Sequence, residues 1–104
     1  MKNIGVLIPL LNSLKELFSP YLIILFGAKY EEENKIVDID ICIVTDILSN
    51  KKEMLRKAYL KTDCDIPYDI FIYSPQEWDE MKKDSGSFVS RIIRKGYVWY
   101  EQEA

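Results

Sequence analysis

The run IVDIDICIV, residues 36–44, is the feature that most constrains the fold of this chain. Its isoleucines and valines are typical of a buried β-strand, yet two aspartates separated by a single residue interrupt it. Residues two apart on a strand point to the same face, so Asp38 and Asp40 project together, while Ile39 and Ile41 point the other way, into the core. The run therefore predicts a strand with one face in the core and two carboxylates on the other.

Three further β-rich runs and four helical patterns surround this strand. The runs are PYLIILFG, PYDIFIY and YVWYE. Helices are predicted at residues 4–18, with Pro9 delaying the start, at 49–63, from the Ser74 capping box to about residue 83, and at 88–95 before Gly96. The polar segment AKYEEENK is predicted to be a loop. Strands separated by helices indicate an α/β fold with a short mixed β-sheet flanked by helices, in a single domain over residues 1–104.

The composition excludes several kinds of function. With no histidine in 104 residues, histidine bases and Ser-His triads are absent, and the net charge of -3 argues against a general polyanion-binding surface. Cys42 and Cys64 are too far apart for a CxxC pair, and two cysteines do not make a disulfide framework. No apolar run is long enough to span a membrane, and we expect a cytoplasmic protein.

A third carboxylate lies in another apolar run. Asp69 is the only charged residue of YDIFIY, so it faces a cleft or lies at the start of the strand. Neighbouring carboxylates repel each other unless a cation lies between them, and Mg²⁺ binds through one or two carboxylates together with waters and phosphates. Three acids on two adjacent strands therefore suit phosphoryl-transfer chemistry. The alternative is that Asp38 and Asp40 lie on a solvated strand face and Asp69 at a strand end.

Three segments, LFGA, VDIDICIV and YDIFIY, resemble the minimal nucleotidyltransferases of the DNA polymerase beta-like superfamily. The pattern is a hydrophobic residue, glycine and a small residue, then a loop, an Asp-hydrophobic-Asp motif and a later third carboxylate. The segments YSPQEWDEM and FVSRIIRKGYVWYE are similar to the strand-to-helix passage and the ending of that family. The resemblance covers essentially the whole chain and implies a nucleotidyltransferase fold.

The resemblance also implies a reaction. Asp38 and Asp40 would bind Mg²⁺ that bridges the phosphates of ATP, and Asp69 would complete the metal site and help deprotonate the acceptor hydroxyl. Gly27, Ala28 and Lys29 would bind the nucleotide through the backbone and the lysine. The product would be AMP on a hydroxyl, with release of pyrophosphate. Family members often act with a HEPN-type helical protein, as the antitoxin that adenylylates its toxin.

Two departures from the family pattern support an alternative function. Ala28 replaces the usual serine, and the three glutamates at residues 31–33 would repel a triphosphate unless they turn outward. The chain would then be an inactive module of the same fold that binds and neutralises a partner protein.

Two surfaces are candidates for partner contacts, and an oligomer is compatible with the sequence. Tyr97, Trp99 and Tyr100 would either anchor a partner or pack in the fold. Basic residues of the second helix would contact RNA or form an ordinary solvated face. They are Lys51, Lys52, Arg56, Lys57 and Lys61.

Overall fold

A four-stranded mixed β-sheet forms the centre of the structure, a computed structural model that describes residues 1–103. The sheet order is β3-β2-β1-β4, with β1 antiparallel to both of its neighbours and β2 parallel to β3. This arrangement confirms the predicted α/β class and mixed sheet. The strands are β1 (Leu22–Glu31), β2 (Lys35–Val44), β3 (Tyr68–Tyr73) and β4 (Tyr97–Glu101).

Four α-helices in the described part of the chain flank the sheet. They are α1 (Ile8–Phe18), α2 (Lys51–Lys61), α3 (Pro75–Met81) and α4 (Phe88–Lys95). The predicted first helix begins as a 3₁₀ turn, Ile4–Leu7, and becomes α-helical next to Pro9, which is tolerated only in a first turn. The Ser74 capping box forms as expected, with the Glu77 N–H donating to Ser74 Oγ at 3.1 Å. The third helix ends at Met81, two residues earlier than predicted.

The two faces of the sheet carry hydrophobic clusters of different size. The larger cluster lies under α1 and α2 and includes buried isoleucines along the whole of β2: Ile36, Ile39, Ile41 and Ile43. The smaller cluster lies under α3 and α4 and covers β2 only at Cys42 and Val44. The part of β2 that precedes Cys42 is therefore uncovered on the α3/α4 face.

The predicted loop AKYEEENK is largely β-strand, which corrects the sequence analysis. β1 continues to Glu31, a three-residue turn at Glu32–Asn34 follows, and β2 begins at Lys35. The hairpin projects beyond the helices, and residues 29–35 are exposed. Because backbone pairing holds this part of the hairpin together, its strands need no apolar pattern.

The described chain is compact, with a Cα radius of gyration of 13.6 Å against about 13 Å expected at this length. Gly96 allows the passage from α4 to β4 to lie directly on the sheet, because a Cβ there would overlap Ile24 Cγ2 and the Ile92 carbonyl oxygen. Among residues 1–103, no helix has the length and apolar character needed to cross a membrane.

Candidate functional site

The three candidate carboxylates lie on the same face of the sheet. Asp40 is in register with Asp69 on the parallel neighbour β3, and Asp38 lies two residues before Asp40 on β2. Ile39 between them is fully buried on the opposite face, as the sequence predicts. Asp38 and Asp40 are half-buried and Asp69 is exposed. The structure thus brings the acids to the uncovered region beside the smaller cluster.

Gly27 places a β-bulge directly against these acids. Phe26 pairs with Asp40 and Lys29 with Asp38, so two residues of β1, Gly27 and Ala28, oppose the single Ile39 of β2. Gly27 has a φ of 61°, the left-handed conformation that a glycine in a bulge supplies without strain. A Cβ on Gly27 would overlap the Asp40 carboxylate. The left-handed backbone therefore favours glycine here, and a side chain would also require the Asp40 carboxylate to move.

The carboxylates repel one another. Burial raises the pKa of Asp40 above its ordinary value, and the carboxylates of Asp69 and Asp38 raise it further, while Lys29 partly offsets them. Lys29 Nζ lies 3.7 Å from Asp38 Oδ2, but 74% of the lysine side chain is exposed. An exposed pair of this kind is weak. Among the three acids, the exposed Lys29 only partly offsets the mutual repulsion.

The carboxylates share a face without forming a complete metal cage. Within residues 1–103, no three His, Cys, Asp or Glu side chains are grouped so that they could hold a metal ion. Mg²⁺ needs fewer protein ligands, because it is usually bound through one or two carboxylates with waters and substrate phosphates as the remainder. Asp38 and Asp40, two hard oxygen donors on one face, fit that requirement, and the exposed Asp69 lies next to them.

The residues predicted to bind the nucleotide do not all lie on the carboxylate face of the sheet. Gly27 borders a pocket beside Asp40, whereas the Ala28 side chain packs against the larger cluster on the other face. Only the backbone of Ala28 is therefore available to a ligand on the carboxylate face. The glutamates at residues 31–33 lie at the hairpin end and line other depressions, not the pocket beside Asp40.

That pocket, of about 240 Å³, contains residues that the sequence analysis missed. Helix α4 forms its second wall with Phe88, Arg91 and Lys95, opposite Gly27 and Asp40. These α4 residues recur at positions i, i+3 and i+7, so they share one face of the helix. Their spacing was visible in FVSRIIRK, but only the packing of α4 against β1 directs that face toward Asp40.

Larger depressions on the described part of the surface are lined by other residues. The one beside α2, of about 490 Å³, includes Arg56, Lys57 and Lys61 of the basic helix face. Neither it nor the depressions of about 690, 610 and 270 Å³ contain any residue predicted for the carboxylate or nucleotide site. Cys42 is buried in the smaller cluster, and this burial raises the pKa of its thiol to about 12, which disfavours the reactive thiolate.

Comparisons of the chain with protein-family models, with curated proteins and with solved structures found no significant match.

Proposed function

We propose that this protein is a magnesium-dependent nucleotidyltransferase that moves a nucleotidyl group, AMP from ATP, to a hydroxyl acceptor. The observation that carries the proposal is the placement of Asp38, Asp40 and Asp69 on one open sheet face, beside the bulge at Gly27. We also propose that the α/β fold is a nucleotidyltransferase fold, as the resemblance of LFGA, VDIDICIV and YDIFIY implies.

The proposed reaction is a displacement at the α-phosphorus of ATP. The acceptor oxygen forms a bond to that phosphorus, the bond from the phosphorus to the bridging oxygen breaks, and pyrophosphate leaves. The hydroxyl proton passes to a carboxylate, a role assigned to Asp69 because it is exposed on an edge strand, where an acceptor has access. Bound Mg²⁺ would supply positive charge to the phosphates in the transition state.

The electrostatics of the site support cation binding by Asp38 and Asp40. Carboxylates that raise the pKa of Asp40 make the ionised site costly, and a divalent cation between them would remove the repulsion. The close approach of Gly27 to Asp40 supports the same assignment, because a backbone without a side chain leaves room for a phosphate beside the acid.

A second candidate function is a binding module that neutralises a partner protein, such as a HEPN-type toxin, without catalysis. The observation that favours it is the contact of Lys29 with Asp38, which places a positive charge where a metal would be needed. The incomplete grouping of metal ligands among residues 1–103 also favours it.

Transfer of label from ATP separates the two functions. The purified protein, together with its co-purifying partner, is incubated with Mg²⁺ and ATP labelled on the α-phosphate, and incorporation into protein is followed. We expect transfer by the natural chain and a loss of at least about 100-fold in Asp38→Asn/Asp40→Asn, since removing the metal ligands costs several kcal/mol in the transition state.

The matched control is Asp63→Asn, which removes an exposed carboxylate outside the site and should leave transfer unchanged. If both the natural chain and the double variant neutralise the partner while no label is transferred, the enzyme proposal is wrong and the binding module is supported.

A further inference from the structure

Opposite charges face each other across the pocket between β1 and α4 without meeting. Asp40 lies on one wall, and Arg91 and Lys95 lie on the other. Neither cation forms an ion pair within residues 1–103, although both are exposed and extend from a helix that packs on the sheet. In a chain with 17 acidic residues and 14 basic ones, two unpaired cations beside a carboxylate need an explanation.

The α4 wall is held in place by packing. Val89 and Ile92 are buried in the smaller cluster. The Phe88 ring lies 5.7 Å from the Phe26 ring and 5.5 Å from the Phe71 ring, measured between centroids. The guanidinium of Arg91 lies 5.8 Å from the centroid of the Phe88 ring, a cation–π contact that helps to hold the arginine side chain in position. The separation of the charges is thus built into the packing of the helix.

We infer that Arg91 and Lys95 bind the pyrophosphate portion of the nucleotide, with its metal on the side of Asp40; this inference rests on the proposed function. A ligand that suits this pocket presents a cation to the carboxylate wall and anionic oxygens to the α4 wall. A metal–polyphosphate complex has that charge distribution, whereas a lone anion would meet Asp40 and a lone cation would meet Arg91 and Lys95.

Arg91 and Lys95 would also supply phosphate contacts that the side chains after Gly27 do not provide. The side chain of Ala28 points to the other face of the sheet and has no hydroxyl, and Lys29 lies beside Asp38. Arg91 and Lys95 are one helical turn apart, a spacing that lets two cations contact adjacent phosphates.

Calorimetric titration tests this inference. Inorganic pyrophosphate with Mg²⁺, ATP with Mg²⁺, and AMP are titrated into the natural chain and into Arg91→Gln/Lys95→Gln. We expect the double substitution to weaken binding of pyrophosphate and of ATP by about 10- to 100-fold, and binding of AMP by less than about threefold, because AMP lacks the pyrophosphate portion. Both side chains are exposed, and a melting curve verifies that the variant folds.

The matched control is Lys57→Gln/Lys61→Gln, which removes two exposed cations at the same helical spacing from α2. Equal weakening in the control, unchanged binding in the α4 variant, or equal loss of AMP and pyrophosphate overturns the inference. Failure of the natural chain to bind either Mg²⁺ complex also overturns it.

Pyrophosphate binding that depends on Arg91 and Lys95, in a protein that transfers no nucleotide, supports this pocket and refutes the proposed enzyme. Nucleotidyl transfer that depends on Asp38 and Asp40 but not on Arg91 and Lys95 supports the proposed enzyme and refutes the role of this pocket in binding pyrophosphate.

Discussion

At the scale of single residues, the site depends on the contact between Gly27 and Asp40. Any side chain at position 27 would overlap the Asp40 carboxylate and would also have to adopt a φ of 61°. Burial raises the pKa of Asp40, and the carboxylates of Asp69 and Asp38 raise it further. The ionised form of Asp40 therefore costs the fold stability.

Asp40→Asn is expected to stabilise the fold at neutral pH. Because the pKa of Asp40 is raised in the folded state, stability falls as the pH rises from the ordinary Asp range through the folded pKa, and the cost is fully present above it. The amide cannot ionise, so the variant avoids this cost. We expect a gain below about 1 kcal/mol, since the group retains much solvent contact.

Urea unfolding at a series of pH values from 4 to 8 measures this gain. The gain should be largest at neutral pH and should shrink toward pH 4. Asp63→Asn, which removes an exposed acid outside the site, is the control for a general effect of charge. A gain that grows as the pH falls would contradict the assignment of a raised pKa to Asp40.

At the scale of elements, the β1–β2 hairpin positions the acids through two opposing irregularities. Gly27 and Ala28 form the bulge on β1, and Val37 is the extra residue on β2, between Ile36 and Asp38. The two shifts cancel, so Glu31 and Lys35 pair in the same register as Leu22 and Val44 at the other end. The second irregularity lets both Ile36 and Ile39 face the core despite their odd spacing.

The hairpin turn carries strain that a substitution should release. Glu33 has a φ of 62°, a left-handed conformation that costs a residue with a Cβ about 1–2 kcal/mol, whereas the neighbouring Glu32 has no positive φ. Glu33→Gly and Glu32→Gly remove the same charge from the same turn. We expect Glu33→Gly to be more stable than Glu32→Gly by about 1–2 kcal/mol, because only the first removes the strain. Chemical denaturation of both variants in parallel measures the difference, and equal stabilities would refute it.

A side chain occupies part of the β3 edge of the sheet. On the β3 edge, the Ile70 N–H donates to the Tyr59 hydroxyl at 2.9 Å, and the Tyr59 ring stacks on Tyr68. This side chain uses a donor that would otherwise be open to another strand. Asp69, the residue before Ile70, thus lies next to a position on this edge where a side chain blocks strand pairing.

At the scale of the whole molecule, the site exists because the helices cover the two faces of the sheet unequally. The α1/α2 side covers β2 over its full length, whereas the cluster under the short helices α3 and α4 reaches β2 only at Cys42 and Val44. The part of β2 before Cys42 carries Asp38 and Asp40. Position on the sheet, and not strand propensity, therefore explains how two aspartates are tolerated in an apolar strand.

Binding of ATP with Mg²⁺ should stabilise the whole fold. A ligand that binds only the folded state at 100 times its dissociation constant adds about 2.7 kcal/mol, which for a chain of this length raises the melting temperature by roughly 10–20 °C. The same concentration of ATP with EDTA should have a much smaller effect, and Asp40→Asn should abolish the shift. Equal shifts with and without Mg²⁺ would exclude a metal-bridged nucleotide.

Much of the architecture was predictable from local sequence. The α/β class, the mixed sheet and the Ser74 capping box follow from apolar periodicity and from residues with strong positional preferences. The distal hairpin was missed because its polar residues resemble a loop, and backbone pairing that is distant from the core leaves no periodic signal. The 3₁₀ start before α1 was only partly anticipated through Pro9.

The sequence by itself determined which face of β2 carries the acids, because alternation on a strand has a period of two and Ile39 and Ile41 needed the core. It also marked Asp69 as an unusual charge. Only the tertiary structure decided that Asp40 and Asp69 are in register, that Gly27 lies against Asp40, and that Arg91 and Lys95 form the opposite wall. These relations join residues up to 68 positions apart, counting from Gly27 to Lys95, and no local periodicity encodes them. The pairing of strands in the sheet and the packing of α4 on it bring these residues together.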